Sequence, residues 1–247
     1  MKVDDAPYVK RENMTKTEYN ARVNYWRQLF RESEFEELDD VFSRFYESCG
    51  IRIRPLKVSD NGKPHRPKLI KYRDRILRAQ ILERKPPVAD MLVVAFWDAR
   101  FSFNLGFDGY TITGIEPYKR AVEVANIAKD ELLFKYRKGF RFNYGFAERL
   151  ERYPKYDVIV NFCLEHVRNP KHVIEEALRH LKEDGVAYFT PPIKHGCGSA
   201  EHLHWFQDEN ELTSLVPPEG YSTKFDRVKF TKNAPFPNVF ILEVTKC

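Results

Sequence analysis

The side chains able to do chemistry near neutral pH gather late in the chain: Glu165-His166, then His195, Cys197, His202 and His204. An imidazole titrates near neutrality and serves as a general base or a metal ligand. His202 and His204 flank Leu203, and on a strand such a pair turns both rings to one side. With His195 and Cys197 nearby zinc is conceivable, but the spacing matches no standard structural zinc site, so no metal is assigned. His204, beside Trp205-Phe206, is the better candidate for a general base or a hydrogen-bonding wall residue, with His166 next. Nucleophilic and phosphate-loop chemistry find no carrier. The chain has no G-x-S-x-G elbow and no G-x-x-x-x-G-K-[ST] loop, and Cys163 lies in the apolar run YDVIVNFC, where a thiol is inert.

The net charge of +5 is unevenly spread. Nine Lys and Arg residues fall between Lys63 and Lys85, against the two acids Asp74 and Glu83. Such a stripe can attract a phosphorylated or nucleic-acid partner. No aromatic stacking motif is interleaved with it, which favours a solvated helix face and makes nucleic-acid binding the lesser reading.

The elements that must position these residues change character along the chain. Tyr19, Val23, Trp26, Leu29 and Phe30, then Leu38, Val41, Phe42, Phe45 and Tyr46, recur with a helical period. Two amphipathic helices broken near Arg31 to Glu34 are expected. Ser59 to Lys68 is a turn-rich loop, and a helix from Leu69 to Glu83 stops at Pro86-Pro87. Residues 1–87 therefore read as a helical N-terminal extension and 88–247 as a second domain. There the pattern becomes strands (Met91 to Phe96, Thr111 to Ile115, Phe140 to Tyr144, Tyr156 to Cys163, Val186 to Thr190) alternating with helices (Tyr118 to Phe134, Pro170 to Leu181). That alternation implies an α/β fold with a mostly parallel sheet and helices on both faces. Lys224 to Phe230 and Val239 to Thr245 are joined by too few residues for a crossover helix, so they pair antiparallel.

No run of about 18 apolar residues occurs, and the N-terminus lacks the apolar core of a secretory signal. The four cysteines are scattered with no C-x-x-C pair. A reducing, cytoplasmic setting without membrane contact is the expectation.

Four segments make 88–246 resemble the class I S-adenosylmethionine-dependent methyltransferases, particularly the group of ubiquinone-pathway and sugar methyltransferases. They are the strand-turn-helix from Met91 to Leu105, GIEPYKRAVEVA (Gly114 to Ala125), GFAERL (Gly145 to Leu150) and NFCLEHVRNP (Asn161 to Pro170). EHLHWFQDENEL, Glu201 to Leu212, is similar to the segment before a short helix near the substrate. The resemblance implies a Rossmann-like sheet, S-adenosylmethionine as cofactor, and methyl transfer to a hydroxyl or amine of a small metabolite or glycan. It implies that Glu116 accepts the ribose hydroxyls; the alternative is an acid at a helix N-terminus, favoured by the dipole. Ala147 and Glu148 would flank the adenine, unless Glu148 is a solvated loop charge. Asn161, Phe162 and Leu164 would floor the cofactor site, with simple core packing the alternative, above all for Phe162. In similar methyltransferases Glu165-His166 binds a divalent ion or helps deprotonate a hydroxyl; the metal-binding pattern has a carboxylate three positions earlier, where this chain has Phe162.

The first turn departs from the family. Its three glycines fall here at Ala95, Trp97 and Ala99, with Asp98 between the last two. Glycine serves there because it tolerates positive φ and lets a ligand lie against bare backbone. Trp97 either fills the space of the cofactor's methionine part or swings out to cover the site. The alternative reading is therefore a catalytically silent methyltransferase-like scaffold or regulatory module. The N-terminal helices serve as a lid or as a protein-partner surface.

Overall fold

A computed structural model describes residues 15–69, 72–191, 202–229 and 238–247. Helix α1, Lys16–Glu32, starts at a capping box: the Thr15 hydroxyl accepts from the Glu18 N–H, and the Glu18 carboxylate accepts from the Thr15 N–H at 2.8 Å. After a break at Ser33 comes α2, Leu38–Ser48. The expected apolar stripes face one another, with Trp26 and Phe30 each 5.4 Å from Phe45 between ring centres. This pair is seated on Tyr118, Ala121, Val124, Phe146 and Leu203.

The turn-rich loop folds into a small antiparallel pair, β1 (Ser59–Asp60) and β2 (Lys63–Pro64), closed by Asn61 and Gly62, both at positive φ. Helix α3, Tyr72–Arg84, buries Leu77 and Ile81 against the sheet.

That sheet has seven strands: β3 Asp90–Val94, β4 Thr111–Glu116, β5 Phe140–Tyr144, β6 Tyr156–Asn161, β7 Leu181–Phe189, β8 Tyr221–Lys229 and β9 Asn238–Lys246. Their order is β5-β4-β3-β6-β7-β9-β8. The first five are parallel, and β9 and β8 run antiparallel, as the short connection requires. Side chains alternate between faces. Met91, Val93, Val158 and Val160 join α3 and α4 (Arg100–Asp108), whereas Leu92, Val94 and Ile159 join α7 (Pro170–Arg179).

Several boundaries differ from the sequence reading; β3 ends at Val94 instead of Phe96, because the chain turns into positive φ at Ala95. The helix expected over 118–134 divides into α5, Lys119–Asp130, and α6, Phe134–Arg137, because the Leu133 N–H is taken by the Gly62 carbonyl at 3.0 Å. Strand β6 stops at Asn161, whose side chain accepts the Cys163 N–H at 3.0 Å and turns the chain out of the sheet. Helix α7 ends at Arg179, and β7 begins at Leu181, paired with Tyr156 ahead of a register shift. The last short helix is α8, Glu209–Thr213.

Candidate functional site

The turn after β3 has no glycine, yet Ala95, Trp97 and Ala99 take φ of 57°, 50° and 57°. These are the three positions at which the family resemblance leads one to expect glycines. An L-residue in the left-handed region costs roughly 1–2 kcal/mol, so the turn is held from outside. Ala95 N–H donates to the Ile115 carbonyl at 2.9 Å, Ala99 N–H to that of Phe96 at 2.9 Å, and Trp97 N–H to Oε2 of Glu116 at 3.0 Å. Asp98 accepts from the Arg100 N–H at 3.1 Å and pairs with its guanidinium at 2.8 Å, fixing the start of α4.

Glu116 ends β4 and is 5% exposed. Its second oxygen lies 3.4 Å from the Tyr118 N–H. Burial pushes its carboxyl up to about 7, against the lowering by the Trp97 and Tyr118 N–H groups. Above it the Trp97 indole packs edge-on against Tyr46 of α2 at 4.8 Å and stacks on Tyr118 at 6.2 Å. The indole has joined the aromatic cluster of the N-terminal helices.

Opposite stands the loop after β5. Ala147 is buried beside Leu164 and Val167. Burial raises the Glu148 carboxyl, countered by its own N–H and that of Arg168, and the Glu148 carbonyl lies 3.2 Å from Nε2 of His172. Asn161 is 1% exposed. Phe162 turns to the other face of the sheet, against Phe101 at 5.2 Å and under the Arg73 guanidinium at 4.6 Å. The buried Cys163 thiol is raised by desolvation and by the charges of Glu148, Glu165 and Glu116, so all three acids bear on one point.

Residues 202–205 are irregular rather than a strand, and they are clamped to the exit of β6: the Glu165 carbonyl accepts the N–H groups of Leu203 at 2.7 Å and His204 at 3.1 Å. The two rings of the H-x-H pair consequently meet different partners. His202 is buried 4.6 Å from the His166 ring and 5.1 Å from Trp205. Desolvation first, then His166 and Arg27, hold its basicity down to about 2. His204 sets Nε2 3.1 Å from the Arg168 carbonyl. A carbonyl only accepts, so Nε2 carries the proton and Nδ1 is left as the acceptor. His166 Nε2 is 3.5 Å from Glu165 Oε1. His195 and Cys197 lie outside the described residues.

The basic stripe is partly spent on the fold. Arg66 and Arg78 reach Asp108 at 2.7 and 2.6 Å, and Arg84 reaches Glu243 at 2.5 Å.

A model of the methyltransferase domain matches residues 100–232, more than half of the chain. The chain belongs to the methyltransferase domain family. No curated protein matches this methyltransferase-domain chain in sequence. Its fold is found in solved structures at low identity. The (4+2)-cyclase SpnF superposes with a TM-score of 0.61 at 18% identity, covering 85% of this chain and 94% of that one. A S-adenosylmethionine-dependent methyltransferase from Methanosarcina mazei gives 0.56 at 19%, covering 68% and 96%. The glycopeptide N-methyltransferase MtfA in complex with S-adenosyl-L-methionine gives 0.56 at 10%, covering 70% and 94%. Tyr118, within the matched domain, and Tyr46, on α2 ahead of it, are site neighbours that sequence reasoning passed over. Tyr118 stands two residues after Glu116, and Tyr46 belongs to a stripe that reads as ordinary helix packing.

Proposed function

We propose that this protein is an S-adenosylmethionine-dependent methyltransferase acting on a hydroxyl or amine of a small molecule or glycan. One observation carries the reading: the turn after β3 keeps left-handed backbone at all three glycine positions and aims a backbone N–H at Glu116. Strain of this kind persists where surrounding structure over-determines it, typically at ligand sites. The residues fit the cofactor in chemistry. A carboxylate offers about four acceptor positions, and the Trp97 and Tyr118 N–H groups take one on each oxygen, leaving capacity for a ribose diol. Asp98 is assigned to the same turn, Ala147 and Glu148 to the adenine end, and Asn161 and Leu164 to the floor. Phe162, packed on the opposite face, is assigned to support of that floor.

When bound, the cofactor supplies an activated methyl group on a sulfonium, so alignment of the acceptor provides most of the rate. His204, with Nδ1 left as the acceptor, takes the acceptor's proton, and Glu165 holds the backbone that carries it. Helices α1 and α2 of the N-terminal extension, packed on Tyr118, Phe146 and Leu203, exclude water from the cofactor site. A cytoplasmic location goes with this reading; no helix among the described residues is long and apolar enough to cross a membrane.

A second reading, a silent methyltransferase-like module, is favoured by the packing of Trp97 between Tyr46 and Tyr118 over a nearly inaccessible Glu116. Thermal unfolding with S-adenosylhomocysteine separates the two. Ligand at about 100 times its Kd adds about 2.7 kcal/mol, hence roughly 5–10 °C in a chain of this size. That shift, lost in Glu116→Ala, is expected for the enzyme. A shift appearing only once the Trp97 side chain is removed supports the silent module, and no shift in either background sinks methyl transfer.

A further inference from the structure

Helix α1 lays two guanidinium groups against the segment that carries His204. Arg27 and Arg31 are four residues apart on that helix, so they share a face. Arg31 Nη2 reaches the Leu203 carbonyl at 3.5 Å, and Arg27 is one of the charges that act on the His202 ring. We infer that Arg27 and Arg31 bind an anionic group, carboxylate or phosphate, carried by the methyl acceptor.

The two cations are not neutralised from within the fold. Burial lowers the Arg27 guanidinium first and the like charge of Arg31 adds to it; Tyr19 opposes them, and no carboxylate is among the charges that act on it. Arg27 Nε is buried without a hydrogen-bond partner, and neither arginine forms an ion pair among the described residues. Elsewhere the chain supplies the acid: Arg66 and Arg78 share Asp108, and Arg84 has Glu243. The Glu165 carboxylate lies 3.5 Å from His166 Nε2 and does not act on Arg27. Like charges four residues apart work against a helix, and a buried donor without an acceptor is costly. An anion received by the site accounts for both features.

An arginine fork matches the two oxygens of a carboxylate or phosphate, and such charge-assisted pairs are roughly twice as strong as neutral hydrogen bonds. His202, buried and kept neutral by its surroundings, can add one N–H donor to the same group. Leu203 and His204 are fixed to the Glu165 carbonyl, so the fold sets the distance from the cation pair to His204. An acceptor held by its anionic end is thereby oriented with its hydroxyl or amine towards the base. The assignment to the acceptor rests on the methyltransferase reading; anion binding by Arg27 stands without it.

The full chain, in chloride buffer with chelator, is titrated with inorganic phosphate and separately with acetate at constant ionic strength, the arginine Nε–H resonances being followed by NMR. A saturable shift of the Arg27 resonance, identified by its loss in Arg27→Gln, is expected, and the tighter titrant names the group. Affinity should fall about tenfold or more in Arg27→Gln, by a smaller factor in Arg31→Gln, and not at all in Arg120→Gln, whose side chain pairs with Glu123 at the surface. With methyl transfer running, the same anion should compete with the acceptor and not with S-adenosylmethionine. No saturable binding by the natural chain, or unchanged affinity in folded Arg27→Gln, overturns the site. Where Arg27→Gln does not fold, unchanged affinity in Arg31→Gln does the same. Competition with S-adenosylmethionine overturns the assignment to the acceptor. Anion binding at Arg27 in a chain that S-adenosylhomocysteine does not stabilise overturns the methyltransferase reading, and with it the acceptor, while the anion site stands.

Discussion

The Trp97 N–H lies 3.0 Å from Oε2 of Glu116, so a residue of the turn after β3 also anchors the acid at the end of the neighbouring strand. The interaction ties the β3 turn to β4 and leaves the indole free to pack on α2. It also keeps a carboxyl group in a site with little access to water.

Glu116 should therefore make stability depend on pH. Its carboxyl is raised from 4.5 to about 7 in the fold, so the native state holds the proton more tightly than the unfolded chain. Stability from this group falls as pH rises from about 4.5 to 7 and is level above that. A shift of that size is worth roughly 3 kcal/mol. Glu116→Gln keeps an acceptor for the Trp97 N–H and removes the titration. Denaturant unfolding from pH 4 to 9 should show the natural chain losing ground to the variant across that window; parallel profiles would refute the buried acid.

The left-handed alanines give a second test. Ala95→Gly relieves roughly 1–2 kcal/mol of backbone strain and returns about 0.4–1 kcal/mol to the unfolded chain's entropy. A net gain of about 0.5–1 kcal/mol is expected. Ala99 is fully buried, and losing its methyl costs about 0.8 kcal/mol, so Ala99→Gly should be near neutral. Ala147→Gly, at a position without positive φ, should destabilise. Equal losses at all three positions would contradict the turn.

Tyr46 packs on the Trp97 indole from α2 and is 8% exposed. Tyr46→Ala should cost about 3 kcal/mol, in the range for a buried aromatic, and at the same time tighten S-adenosylhomocysteine binding measured by calorimetry. Weaker binding in the folded variant would make Tyr46 part of the ligand site instead of its cover.

His204→Ala should lower methyl-transfer turnover by 10²-fold or more with cofactor affinity within a factor of two, as expected for loss of a general base. Unchanged turnover at saturating acceptor would remove His204 and leave His166 as the base.

Periodicity made the sheet and its antiparallel end legible, because β6 is centred on the apolar run Val158–Val160, β7 ends in the apolar run Val186–Phe189, and the connection before β9 is short. The breaks at Leu133 and Asn161 were not, since each depends on a hydrogen bond whose acceptor is Gly62 in a distant hairpin or a side chain folding back on its own loop. In the site, Glu116 stands out from its position at a strand end. The resemblance placed the family's glycines at Ala95, Trp97 and Ala99, but did not reveal that all three residues take positive φ there. The pairing of His202 with His166 was hidden by the assumption of a strand over 202–204. The basic stripe read as a solvated face because Asp108 and Glu243, which engage it, lie far along the chain.

The sheet order has a consequence for the chain as it is made. Strand β9 lies between β7 and β8 although it is synthesised after both. Until it emerges, β8 lacks the partner that carries its ladder, and the edge of β7 presents Val186, Ala187, Tyr188 and Phe189 as an open apolar strand. Such an edge invites pairing with other chains. The period between synthesis of β7 and arrival of β9 is then the interval in which a nascent chain most needs a chaperone, and slowing translation between residues 190 and 238 should increase aggregation more than slowing it before residue 180.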